Sequence, residues 1–329
     1  MNSWEVFGHD WAVEMLQQHV VNATLRHAYL ITGPAGVGRR TLALRLAQTL
    51  NCEKPLAPGV PCRTCRNCRQ MEAGQHPDLM VIRKLPDKKD IIIEQIREMS
   101  KFLSLKPYMA AYKIVLILNL EDANQNAQNA LLKTLEEAPD FAVLLLTADN
   151  AEQLLPTIVS RCEIMRLRPL SVEAVTGFLA ERGVVEDRAS LFAHLAGGRP
   201  GYALQLSGDE TTLAFRAEKL DDLRKLLAAG LRERFHYAEK LAKDKDVFQK
   251  TLFIWLSYWR DVLLTTSGAA AALTNIDRTE EIRDLALELD SSAARIITRR
   301  VEKAIDRLDR NVNARLLAEV TLMDWPKIK

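Results

Sequence analysis

Ala28-Tyr-Leu-Ile-Thr32 runs directly into Gly33-Pro-Ala-Gly-Val-Gly-Arg-Arg40, and Thr41–Leu50 follows with Leu42, Leu44, Leu46 and Ala47 at helical spacing. A short apolar run, a glycine-rich turn and a helix in that order are the setting of a phosphate-binding loop. In such a loop the first N–H groups of the helix point at an anion. The spacing Gly33-x4-Gly38 agrees. The next two positions should be Lys, which reaches the β/γ-phosphates, and Ser or Thr, whose hydroxyl holds magnesium. Here they are Arg39 and Arg40. A broad planar guanidinium does not reproduce a compact ammonium, and Arg40 cannot ligate a cation. Thr41 offers a hydroxyl one residue late, about 100° around the helix. Three readings stand: a loop kept for the fold, nucleotide binding without hydrolysis, and hydrolysis.

Outward from the loop, further apolar runs occur at Leu79–Ile82, Ile114–Leu118 and Val143–Thr147, separated by helix-like Ile91–Leu103 and Asn124–Glu137. Short continuous apolar strands alternating with helices imply an α/β domain whose parallel sheet is covered on both faces. Hydrolysis would also need a carboxylate at the end of a buried strand. The candidate strand ends at Leu118-Asn119, and Glu121 and Asp122 are expected beyond it on a surface turn. The loop and the strand end thus lack catalytic parts independently. Arg168-Pro169 breaks the pattern. Leu170–Leu206 reads as a small helical unit with Ser171 as N-cap, and everything from Asp209 onward is helical. Three domains are expected: 1–167, a P-loop-type α/β domain; 168–208, a small helical lid; and 209–329, an all-α domain.

Cys52, Cys62, Cys65 and Cys68 are spaced C-x9-C-x2-C-x2-C. Two overlapping C-x2-C steps and a fourth thiol can close a tetrahedral Zn–S4 site. Lys54, Arg63, Arg66 and Arg69 surround the thiols and offset their charge. Structural zinc is the favoured reading, ahead of an iron–sulfur cluster or free thiols; with four protein ligands the metal would not be catalytic. His76 is expected to be a surface residue and Cys162 a small buried one.

The chain has 329 residues, 45 basic and 43 acidic, for a net charge of +2. The composition is that of an ordinary globular protein and excludes wholesale disorder. The balance argues against strong DNA binding by the whole chain. No apolar run approaches a membrane span, and no basic stretch followed by an apolar one marks a secretory signal in Met1–Asp10. A cytoplasmic location is expected. Late in the chain, Arg295, Arg299, Arg300, Lys303, Arg307 and Arg310 form a basic series interleaved with Glu302, Asp306 and Asp309. It reads as a solvated, ion-paired face, and only secondarily as a sign of a stand-alone zinc nucleic-acid-binding protein.

Asn129–Pro139 is a helix closed by a proline, with Leu131, Leu132 and Leu135 inward and Lys133, Glu136 and Glu137 outward. Leu155-Pro-Thr-Ile-Val-Ser-Arg-Cys162 follows the last strand of the core and sets Arg161 near the sheet's C-terminal edge. By pattern alone Arg161 is a salt-bridged surface residue; the sharper reading is an arginine that stabilises phosphate charge in a neighbouring subunit. With these segments, Arg26–Leu30, Asn51-Cys52, His76-Pro-Asp78, Ile96-Arg97 and Gly197–Ala203, the chain resembles the clamp-loader family of bacterial DNA polymerase III over about its first 210 residues. Arg39-Arg40 and Leu118-Asn119 depart from the ATPase members, which carry Lys-Thr or Lys-Ser and Asp-Glu there. The Gly198-Arg-Pro-Gly201 motif and the end of the chain at Lys329 also resemble the non-hydrolysing members. The resemblance implies an AAA+-like α/β domain with an inserted zinc module, a lid and a helical collar. It implies a ring of one delta, three gamma/tau and one non-hydrolysing subunit that opens a sliding clamp and places it on primed DNA. In that ring the chain would have no ATP site of its own and would be a component of the polymerase III holoenzyme. Arg161 would serve the ATP of an adjacent gamma/tau subunit. The alternative is an ATP-hydrolysing gamma/tau-type motor.

Overall fold

A computed structural model describes residues 2–310 and 312–328, apart from the side chain of Asp309, so that member of the acidic series lies outside the described residues. The chain divides into two compact units, 1–174 with 198–202, and 175–197 with 203–329. The expected boundary at 167/168 falls inside the first unit and that at 208/209 inside the second.

In the first unit, helices α1 (Asp10–Val21), α2 (Arg39–Asn51), α3 (Arg66–Glu72), α4 (Ile93–Ser104), α5 (Gln125–Glu136) and α6 (Pro156–Val159) surround five strands. These are β1 (Ala28–Thr32), β2 (Leu79–Ile82), β3 (Lys113–Ile117), β4 (Ala142–Ala148) and β5 (Glu163–Arg166). The sheet order is β2-β3-β4-β1-β5, and every pairing is parallel. Because successive strand residues face opposite sides, the sheet feeds two cores. Tyr29, Ile31, Leu116 and Leu145 pack with Leu42 and Leu46 of α2 on one side. Leu30, Val115, Leu144 and Leu146 pack with Ile96 of α4 and Leu131 of α5 on the other. The four expected strands are present within a residue, and the helices between them within two. β5 is additional: Met165 alone of its four residues is buried and it sits at the sheet edge, so it lacks the apolar run that betrays a central strand.

Helix α7 (Val172–Ala180) starts in the first unit and continues into the second; the Ser171 hydroxyl accepts from Ala174 N–H at 3.1 Å, the expected N-cap. Then come α8 (Glu186–Ala196), α9 (Pro200–Ser207), α10 (Glu210–Ala228), α11 (Leu231–Leu241), α12 (Lys245–Thr266), α13 (Thr279–Glu288), α14 (Ser291–Asp309) and α15 (Ala314–Met323). The second unit is helical throughout, around a core centred on Trp255, Trp259 and Trp325. The Trp255 and Trp325 rings meet edge-on at 4.8 Å. No helix among the described residues is long and apolar enough to cross a membrane.

The basic series on α14 is exposed, but it is not ion-paired as expected. Among the described residues Arg300 alone finds a carboxylate, Asp324 at 3.2 Å.

Candidate functional site

The glycine loop lies where parallel α/β sheets gather ligands, at the carboxyl ends of the strands. β1 leads into it, and the ends of β3 and β4 deliver Asn119 and Asp149 beside it. Gly33 and Gly36 both have positive φ, 143° and 84°. A side chain at Gly33 would run into the carbonyl oxygen of Leu167, and one at Gly36 into the backbone of Tyr202. Gly36 O also accepts from the N–H of Gly201 at 2.8 Å, tying the loop to the start of α9.

Arg39 opens α2 and is buried. Its guanidinium folds across the strand ends: Nη2 lies 2.7 Å from Asp149 Oδ1 and 3.3 Å from Asn119 Oδ1. Glu121 joins from the turn after β3, accepting from Asp149 N–H at 3.1 Å. Burial raises the Glu121 carboxyl above its ordinary pKa. Glu121 is therefore half-buried beside the loop, not out on the surface turn expected of it, because the turn after β3 folds back toward β4. Arg40 and Thr41 are exposed. The cation that would meet a γ-phosphate in a hydrolysing loop is committed here to the protein's own carboxylate. Asp149 was missed from sequence because it lies past the apolar run, and nothing local to it signals a partner 110 positions away.

The four sulfurs of Cys52, Cys62, Cys65 and Cys68 lie within 4.8 Å of one another. Tetrahedral Zn–S bonds of about 2.3 Å put sulfurs about 3.8 Å apart, so the donor set fits a zinc ion with little movement. Backbone N–H groups already point at sulfur: Cys62 to Cys52 and Cys65 to Cys62 at 3.3 Å, and Cys68 to Cys65 at 3.4 Å. Burial pushes the Cys62 thiol up, but the N–H groups of Cys65 and Thr64 outweigh it and bring the pKa down to about 6. Burial raises Cys52 and Cys68, a cost that a bound cation reverses by holding the thiolates. The module is fastened to the N-terminal segment and to α2. Trp4 Nε1 donates to Gly59 O at 2.7 Å, Arg63 pairs with Glu5, and Gln48 Nε2 donates to Cys68 O at 2.8 Å.

His76 is buried, against expectation: Nδ1 accepts from Asp78 N–H at 3.0 Å, and burial lowers its pKa. Two residues on, Asp78 is fully buried too, its carboxylate accepting from the N–H groups of Tyr108, Met109 and Ala110. Cys162 is partly buried, which pushes its thiol up to about 12 and leaves it inert. Arg161 follows α6 and is half-exposed. Nη2 lies 2.6 Å from Glu136 Oε1 at the end of α5, and Nη1 donates to Thr157 O at 2.9 Å. The loop, the cysteine cluster and Arg161 are three separate features of the first unit.

Residues 8–171 match the family model described as DNA polymerase III, delta subunit, and residues 212–327 match the model for the C terminal of the same delta subunit. The DNA polymerase III subunit delta' of Pseudomonas aeruginosa is 34% identical over 253 residues, covering 76% of this chain and 75% of that one. The delta' of Bacillus subtilis is 30% identical over 311 residues, 93% of each chain. The tau subunit of Escherichia coli is 33% identical over 186 residues, 53% of this chain and 28% of tau. Among solved structures, a gamma subunit-related protein of Thermotoga maritima aligns over 95% of this chain and 97% of its own, with 19% identity and a TM-score of 0.44. Two family models in chain order and two delta' relatives spanning most of their length agree, and the chain belongs to the delta' clamp-loader subunit family of DNA polymerase III.

Proposed function

We propose that this chain is a non-hydrolysing member of a clamp-loader ring, assembled with delta and gamma/tau subunits, which opens a sliding clamp and places it on primed DNA. The observation that carries the reading is the Arg39–Asp149 pair. In hydrolysing loops the corresponding lysine must be free for phosphate and the next hydroxyl free for magnesium. Here the cation is folded onto Asp149 and Asn119, and the next position is Arg40. β3 ends at Ile117 and is followed by Leu118-Asn119, with no carboxylate pair there to hold a metal and orient water.

The contribution to catalysis would then be made in trans. Arg161 would place its guanidinium against the γ-phosphate of an ATP held by a neighbouring gamma/tau subunit and stabilise the charge that spreads over the transferring group. Glu136 and the Thr157 carbonyl orient that side chain, and because the Arg161 guanidinium is half-exposed, unlike the buried one of Arg39, it can exchange Glu136 for a phosphate at little cost, which supports the reading. Zinc at the four cysteines would be structural and take no part in the chemistry.

The test is steady-state ATP turnover of the purified chain and of the assembled ring. The chain alone is expected to show none. Turnover by the chain alone that disappears on Arg39→Ala would revive the gamma/tau-type motor.

A further inference from the structure

We propose that the exposed face of α14 is a binding surface for the phosphate backbone of duplex DNA. The helix buries Ala294, Ile297, Val301, Ala304 and Leu308 against the core of the second unit. Its opposite face carries Arg295, Arg299, Lys303, Arg307 and Arg310, all exposed and none within ion-pair distance of a described carboxylate. At about 100° per residue these five fall within about 120° of arc. Glu302 lies about 20° outside that arc beyond Arg295 and Asp306 about 20° inside it, and neither is within ion-pair distance of the five. Like charges four residues apart destabilise a helix, so the stripe works against the element that carries it until an anion covers it.

The spacing favours DNA over an acidic protein. Steps of four residues advance about 6 Å along the helix. Phosphates follow one another every ~3.4 Å along each strand of a duplex, so successive cations meet about every second phosphate. From Arg295 to Arg310 the row is about 22 Å long. Four of its five members are arginines, whose forked donors grip phosphate oxygens in pairs. A protein interface would need apolar or aromatic anchors at its centre, and the stripe offers only Ile296, 47% exposed. The proposal does not rest on the role of Arg161, and its test contains no ATP, so either reading can fail alone.

The experiment titrates the full chain against a fluorescein-labelled, random-sequence duplex of about 20 base pairs by anisotropy, between about 50 and 200 mM salt. Five phosphate contacts give a log–log slope of about −4.5, an affinity loss of about 500-fold across that range. Arg295→Ala/Arg299→Ala/Lys303→Ala is expected to leave a slope of about −1.8 and a loss of only about 12-fold. A charge-matched variant on the same unit, Lys240→Ala/Lys243→Ala/Lys250→Ala, should keep the wild-type slope. The idea is overturned if the chain does not bind the duplex at low salt, or if the stripe variant keeps the wild-type slope. It is also overturned if the control variant loses as much. Binding to polyglutamate without binding to the duplex would replace DNA by an acidic protein.

Discussion

Arg39 shows how one substitution changes what a loop can do. A lysine at the head of α2 leaves a compact charge facing the loop, whereas the longer guanidinium reaches Asp149 and Asn119. Arg39→Met should lower stability by about 1–2 kcal/mol, because Asp149 loses its partner while remaining half-exposed to water. Urea midpoints would measure it. Restoring the loop residues with Arg39→Lys/Arg40→Thr should still give no ATP turnover, since β3 supplies no acid pair; turnover at gamma/tau levels would show the loop alone to be limiting. His9 and His76 carry a second, pH-linked consequence. Burial lowers both pKa values below 6.5. The unfolded chain therefore binds protons that the folded chain does not, and stability rises with pH through this range. It should be full above about pH 6.5 and fall as the pH drops toward the lowered values. His9→Asn should flatten the difference between urea midpoints at pH 7.5 and 5.5.

At the scale of elements, what the sequence reveals depends on how local the signal is. Cys52–Cys68 announces itself because its ligands lie within one short segment. The apolar runs of β1, β2, β3 and β4 do likewise. β5 and Asp149 escape detection because an edge strand and a cross-sheet ion pair are set by packing between distant segments. The cysteine module should hold one zinc per chain, measurable by metal analysis of protein prepared without added zinc. Cys65→Ser should expose 52–68 to proteolysis while leaving the main unfolding transition nearly in place, since the module is an insertion whose folding is coupled to metal. α11 carries a different device. Arg234 is buried, and its guanidinium donates to the carbonyls of Leu226 and Leu227 at the end of α10 and of Leu322, Trp325 and Pro326 at and beyond the end of α15. It caps two helix C-termini at once, where cations are favoured. Arg234→Met strands those buried acceptors and should cost about 3 kcal/mol or more.

Over the whole molecule, the division into two units separates the expected roles. The first holds the loop, the cysteines and Arg161, and the second is a helical body with a basic face. If the chain is a ring subunit as proposed, the decisive experiment is one on the assembled ring rather than on the isolated chain. If Arg161 acts in trans, its loss must leave this chain folded. Its contacts are an ion pair with Glu136, which is half-exposed, and one carbonyl, and an exposed pair of that kind contributes only about 0–1 kcal/mol. Removing an arginine that meets the γ-phosphate costs about three to five orders of magnitude at one ATP site. In a ring with several gamma/tau subunits only the site bordering this chain would be silenced, so total hydrolysis should fall in part. Clamp loading should fall further, because one silent site stalls a coordinated cycle. Arg161→Ala, reconstituted with gamma/tau and delta, should therefore assemble normally, hydrolyse ATP at a reduced rate and load clamps poorly. Glu136→Ala should give a milder form of the same defect by freeing the side chain. Unchanged turnover and loading in an intact Arg161→Ala ring would remove the trans role, and an Arg161→Ala chain that fails to fold would make the arginine a structural ion-pair residue instead.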